Sequence, residues 1–115
     1  MPVTIYHNPH CSKSRATLAL LKERGIEPTI VEYLTSPPDV ATLTEILKKL
    51  RIAPRDLLRK GEAEYKTLHL DDPTLADDQI VAAMVSHPIL IERPIVVKGA
   101  KAAIGRPPEG VLGIL

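Results

Sequence analysis

The chain has a single cysteine, Cys11, inside the run His7-Asn8-Pro9-His10-Cys11-Ser12-Lys13-Ser14-Arg15. An apolar stretch precedes this run and a helix-forming stretch follows it. A thiol at such a junction faces free backbone N–H groups and the positive end of a helix, and both favour thiolate over thiol. Ser12, Lys13, Ser14 and Arg15 add hydroxyls and positive charge around it. The alternative use of a lone cysteine is as a small buried hydrophobe, for which a polar loop opening a helix is a poor place. Ser14 stands where the second cysteine of a C-x-x-C pair would be. With no other thiol in the chain, a catalytic Cys11 must be restored by an external thiol.

Arginine is the second ingredient. Arg59 follows Leu57-Leu58, Arg93 precedes Pro94, and Arg106 precedes Pro107-Pro108. The planar guanidinium donates two parallel bonds to oxyanions, which suits tetrahedral or planar oxygens. Any one of these residues alone reads as a solvated surface charge; together they sit at element ends where loops converge. His7 either supports the thiolate and shuttles a proton near neutral pH, or is hydrogen-bonded locally in its loop. His10 points elsewhere from its neighbour. His69 and His87 have no metal-ligand spacing with Cys11, so no metal site is expected.

These residues need elements to hold them. Val3–Tyr6 is a β-branched and aromatic run that predicts a short buried strand. From about Ser12 to Arg24 the period lengthens to that of a helix, with Ser14, Leu18 and Leu21 on one face and Gly25 placed to end it. Thr29–Tyr33 predicts a second strand, and the crossover implies a parallel, right-handed βαβ unit. Ser36 is the expected N-cap of a helix whose Val40, Leu43, Leu47 and Leu50 share a face. A shorter helix follows Pro54, and residues 60–73 read as loop with one helical turn. Asp77-Asp78 open another helix, with Ile80, Val81 and Met84 inward. Pro94–Val97 and Lys101–Ile104 form a hairpin across Lys98-Gly99-Ala100. A short helix from Pro107-Pro108 closes the chain. The class is α/β, a thioredoxin-like mixed sheet built as βαβ, helical insertion, β-hairpin and C-terminal helix. In that arrangement the X-Pro bond entering the third strand is typically cis and lies beside the first helix N-terminus, which brings Arg93 towards Cys11.

The 115 residues suit one globular domain, 1–115, of 44% hydrophobic composition. A net charge of +1 argues against broad binding to nucleic acid or anionic lipid. No membrane span or signal peptide is evident, and one cysteine excludes an internal disulfide, so a cytoplasmic enzyme or regulator is expected. With no Phe and no Trp, the core rests on Leu, Ile, Val and Ala, with Tyr6 as core. The eleven prolines sit mostly at element edges, where a missing N–H does least harm.

The segment from Ile5 to Arg15 resembles the N-terminal signature of the glutaredoxin-dependent arsenate reductases. The resemblance continues through Leu57-Leu58-Arg59-Lys60, Asp77-Asp78-Gln79, the stretch from His87 to Val97, and Gly105-Arg106-Pro107. It implies that Cys11 attacks arsenate, that Arg59, Arg93 and Arg106 hold the oxyanion and product, that His7 tunes the cysteine, and that Ser14 supplies the hydroxyl three residues on. It further implies glutathione as co-substrate with no bound cofactor and glutaredoxin as the partner; a monomer is the separate expectation. The reductases it resembles continue past the C-terminal helix with a charged tail, which reads as dispensable for chemistry. Two other readings stay open: a glutathione-dependent thiol reductase of the same fold, and a non-catalytic transcriptional regulator that binds RNA polymerase. The regulators of this superfamily carry C-x-x-C at the helix start where this chain has C-x-x-S, which favours the enzyme.

Overall fold

The computed structural model describes residues 2–115. They fall into two compact units, residues 2–36 with 93–115, and the intervening residues 37–92.

The first unit holds a four-stranded mixed sheet in the order β2-β1-β3-β4, from β1 (Val3–His7), β2 (Thr29–Glu32), β3 (Ile95–Lys98) and β4 (Lys101–Ile104). β1 and β2 are parallel, with Ile5 opposite Ile30, as expected of a βαβ unit. β1 and β3 run antiparallel with Ile5 opposite Val96, and β3 returns as β4. The hairpin loop is Gly99-Ala100, with Gly99 at φ +60°, where a side chain would be strained. β2 is an edge strand and is mostly exposed.

Alternation along β1 buries Val3, Ile5 and His7 on one face. Val3 and Ile5 join Leu21, Val96 and Val111 in a core flanked by Leu18, Ile26, Ala103 and Ile114. β1 thus runs one residue past the predicted end, and the period of two carries His7 onto the face that packs on α1 (Ser12–Glu23). The buried stripe of α1 is Ser14, Thr17 and Leu21, so Thr17 joins the face read from the sequence and Leu18 lies at its margin. The chain closes in a 3-10 helix, Pro108–Ile114, rather than an α-helix. Gly110 and Gly113 disfavour α-helix in so short a segment.

The second unit is helical: α2 (Val40–Leu50), α3 (Pro54–Leu57), α4 (Ala63–Thr67), α5 (Asp77–Ser86) and a 3-10 turn at Pro88–Leu90. It buries Leu43, Ile46, Leu47, Ile80, Val81 and Met84 along α2 and α5. The N-cap of α2 is Asp39, not Ser36: its carboxylate accepts the Thr42 N–H at 2.7 Å. Two prolines follow Ser36 and push the chain away from helix there, while the Ser36 N–H returns to the Glu32 carbonyl. Arg55 braces the stretch after α4, donating from Nη1 to the Leu70 carbonyl at 2.8 Å and from Nη2 to the Asp72 carbonyl. Among the described residues no helix is long and apolar enough to cross a membrane.

Candidate active site

Cys11 is the N-cap residue of α1, in extended backbone geometry, and its sulfur faces the first-turn N–H groups of Lys13 and Ser14. No acidic residue lies in the first turn of α1. The loop before it is stitched by Asn8, which sequence reasoning did not single out. The Asn8 carbonyl accepts the Cys11 N–H at 3.0 Å, its Oδ1 accepts the His10 N–H at 3.0 Å, and its own N–H donates to Ser14 Oγ at 3.0 Å. The signal was present: asparagine side chains readily bond the backbone two residues on. Arg15, read as charge near the sulfur, donates from Nη1 to the Pro9 carbonyl at 2.9 Å and braces the same loop.

Two of the three arginines belong to this unit and reach the sulfur. Arg106 Nη1 lies 3.7 Å from Cys11 Sγ and donates to the Arg93 carbonyl at 3.2 Å. The Arg93 side chain also donates to the sulfur. The Arg93–Pro94 bond is cis, as expected, and so is Arg106–Pro107. Arg93 is half-buried and Arg106 exposed.

The thiol responds to these neighbours. Burial pushes the Cys11 pKa up, but the Ser14 N–H, Arg93, the Lys13 N–H and Arg106 together outweigh it, and the group lies below the ordinary thiol value. Opposing charge and donated hydrogen bonds stabilise the anion. Ser14 contributes through its backbone; its hydroxyl is turned inward, fully buried, and meets His7 Nδ1 at 2.6 Å. His7 is held below its ordinary value first by burial, partly offset by Glu32 and reinforced by Arg15.

Arg59 lies in the 37–92 unit. Its Nη1 meets Glu92 at 2.7 Å and its Nε meets Glu62 at 3.3 Å. The Arg59 N–H donates to the Leu90 carbonyl at 2.8 Å, beside the short bridge between Leu58 and Ile91. Among the described residues no group of three or more His, Cys, Asp or Glu side chains could hold a metal ion.

An ionised sulfur flanked by guanidinium donors can act as a nucleophile towards an electrophile that carries negative charge, since the same cations attract and orient it. Comparison with known proteins narrows the field. Residues 6–114 match the ArsC family. The chain belongs to that family. It is 53% identical to an arsenate reductase of Haemophilus influenzae over the whole of both chains. It is 55% identical to the uncharacterized protein YfgD of Escherichia coli (strain K12), over 98% of this chain and 96% of that one. A solved structure, an arsenate reductase from Vibrio cholerae, superposes with a TM-score of 0.98 at 52% identity, covering 100% of this chain and 98% of the other. ArsC membership accords with the thioredoxin-like arrangement of the sheet unit.

Proposed function

We propose that this ArsC-family protein is an arsenate reductase in which Cys11 is the nucleophile. The observation that carries the reading is the Cys11 sulfur at the N-terminus of α1 with Arg93 and Arg106 both donating to it, which holds its pKa below the ordinary thiol value, in a chain about half identical to proteins named for that activity.

Arsenate is a tetrahedral oxyanion. Arg93, Arg106 and the first-turn N–H groups of α1 offer it charge-assisted hydrogen bonds and bring arsenic within reach of the sulfur. The Cys11 thiolate forms an S–As bond and one arsenate oxygen leaves as water after protonation. A glutathione thiolate then attacks the Cys11 sulfur. The S–As bonding pair departs with arsenic, which falls from the pentavalent to the trivalent state and leaves as arsenite. The product on the protein is a Cys11–glutathione disulfide, and a glutaredoxin thiol takes the glutathione and restores Cys11. Two thiols thus supply the two electrons. Arg59 enters the proposal as a third oxyanion ligand on the family resemblance. In that role it exchanges a carboxylate partner for the substrate. The monomeric state, the single 1–115 domain and a cytoplasmic setting, where thiols stay reduced, belong to the same reading.

The test is a coupled assay with arsenate, glutathione and glutaredoxin, each omitted in turn. Turnover is expected only with all three present and none with Cys11→Ser. Glutathione- and glutaredoxin-dependent arsenate reduction by Cys11→Ser, or thiol–disulfide exchange with no arsenate turnover in the native protein, overturns the assignment.

A further inference from the structure

Thr17, Pro94 and Gly105 meet at one point of the sheet unit, and each is tied to a different part of the site. Pro94 follows Arg93, Gly105 precedes Arg106, and Thr17 lies in the second turn of the helix that Cys11 caps. Gly105 is buried, and its N–H donates to the Pro94 carbonyl at 2.9 Å. Its backbone is not left-handed, so any residue could adopt its conformation. Space is what excludes a side chain. A Cβ on Gly105 would overlap the Thr17 hydroxyl and stand 2.7 Å from the Pro94 ring and 3.1 Å from the Thr17 methyl.

Thr17 has little freedom to retreat. It is fully buried, and its hydroxyl donates to the Lys13 carbonyl at 2.8 Å. A hydroxyl has one proton, so its 3.5 Å approach to the Gly105 carbonyl is the weaker contact. The junction is therefore held by shape, and close-packed interiors transmit displacement rather than absorb it.

We propose that Gly105 is a positioning residue: by lacking a side chain it lets Thr17 and Pro94 close onto its backbone, and this junction holds the Arg93 and Arg106 guanidinium groups against the Cys11 sulfur. The proposal deepens the reading of Cys11 as nucleophile, and its test needs no substrate, so it can fail independently of arsenate reduction.

In Gly105→Ala, Cys11 ionisation is followed by the ultraviolet absorbance of the thiolate and by the pH profile of iodoacetamide alkylation, with circular dichroism to establish folding. The midpoint is expected to rise by about one pH unit, the order of effect of a charge partner withdrawn. Alkylation below the midpoint then slows about tenfold, because only the thiolate reacts. In the Arg93→Ala/Arg106→Ala background the same substitution is expected to add no shift. Thr17→Ala removes the nearest obstacle but leaves the Pro94 ring 2.7 Å from the new Cβ, so the midpoint of Thr17→Ala/Gly105→Ala is expected to lie above that of Thr17→Ala by less than the full shift of Gly105→Ala. A folded Gly105→Ala protein that titrates at the native midpoint overturns the proposal. So does a full shift in the protein lacking both arginines. If Gly105→Ala does not fold, Thr17→Ala/Gly105→Ala is compared with Thr17→Ala: a smaller upward shift supports the proposal and an unchanged midpoint overturns it.

Discussion

His7 and Ser14 are joined beneath the first loop, with Nδ1 and Oγ 2.6 Å apart and both side chains buried. The same oxygen accepts the Asn8 N–H at 3.0 Å. A neutral imidazole lets the hydroxyl proton point to Nδ1 while the oxygen accepts from the backbone. Ser14→Ala strips both groups of their partner inside the protein. The expected loss is about 1–3 kcal/mol, the cost of leaving buried polar groups unsatisfied, measured by urea denaturation of Ser14→Ala against the native protein. A loss within error would show that water replaces the hydroxyl.

The lowered pKa of His7 has a consequence for stability. Burial is the main cause, and it disfavours the charged ring. Between the folded value and the unfolded value near 6.5, the unfolded chain binds more protons. Stability from this group is therefore complete above the unfolded pKa and falls as the pH drops through the folded one. Urea midpoints measured from neutral to mildly acidic pH should decline, and His7→Asn should flatten that part of the profile.

Cys11 titrates in the same sense, as an acid whose folded pKa is depressed. Its alkylation rate should rise with pH through a midpoint below that of a free thiol and then level off. Arg106→Ala should move the midpoint upward, because it removes a donor 3.7 Å from the sulfur. The thiolate favours the folded state above the unfolded pKa, and that contribution disappears as pH falls through the folded pKa. Arg106→Ala narrows that window. An unchanged alkylation profile in Arg106→Ala would remove this arginine from the set that ionises the sulfur.

Arg59 offers a separate kinetic check. A charge-assisted bond to an oxyanion contributes about 1.5–3 kcal/mol, so Arg59→Ala should lower kcat/KM for arsenate by roughly tenfold or more. A change below about twofold in that comparison would leave Arg59 with only its two carboxylate partners in the 37–92 unit.

The junction of strand, loop and helix at Cys11 was legible because the apolar period changes from two to about 3.6 across a polar run. The hairpin and the inward face of α5 were legible for the same reason. Asp39 was missed because Ser36 is also a good capping type, and the choice depended on how far two prolines carry the extended backbone. Asn8 carried a local signal that went unused beside the cysteine. Thr17 and Gly105 had none: their contact spans 88 residues, and a missing Cβ reveals its purpose only once the neighbour that fills the space is known. Arg55 is similar, since its carbonyl partners lie in a stretch with weak patterning.

The chain leaves the sheet unit at Ser36 and re-enters it at Arg93, so Cys11, Arg93 and Arg106 come from sequence on either side of a 37–92 insert. Mutational drift through the insert therefore rewrites none of the side chains found donating to the sulfur. A substitution inside the insert can change Arg59 and its Glu62 and Glu92 partners while leaving Cys11, Arg93 and Arg106 as they are.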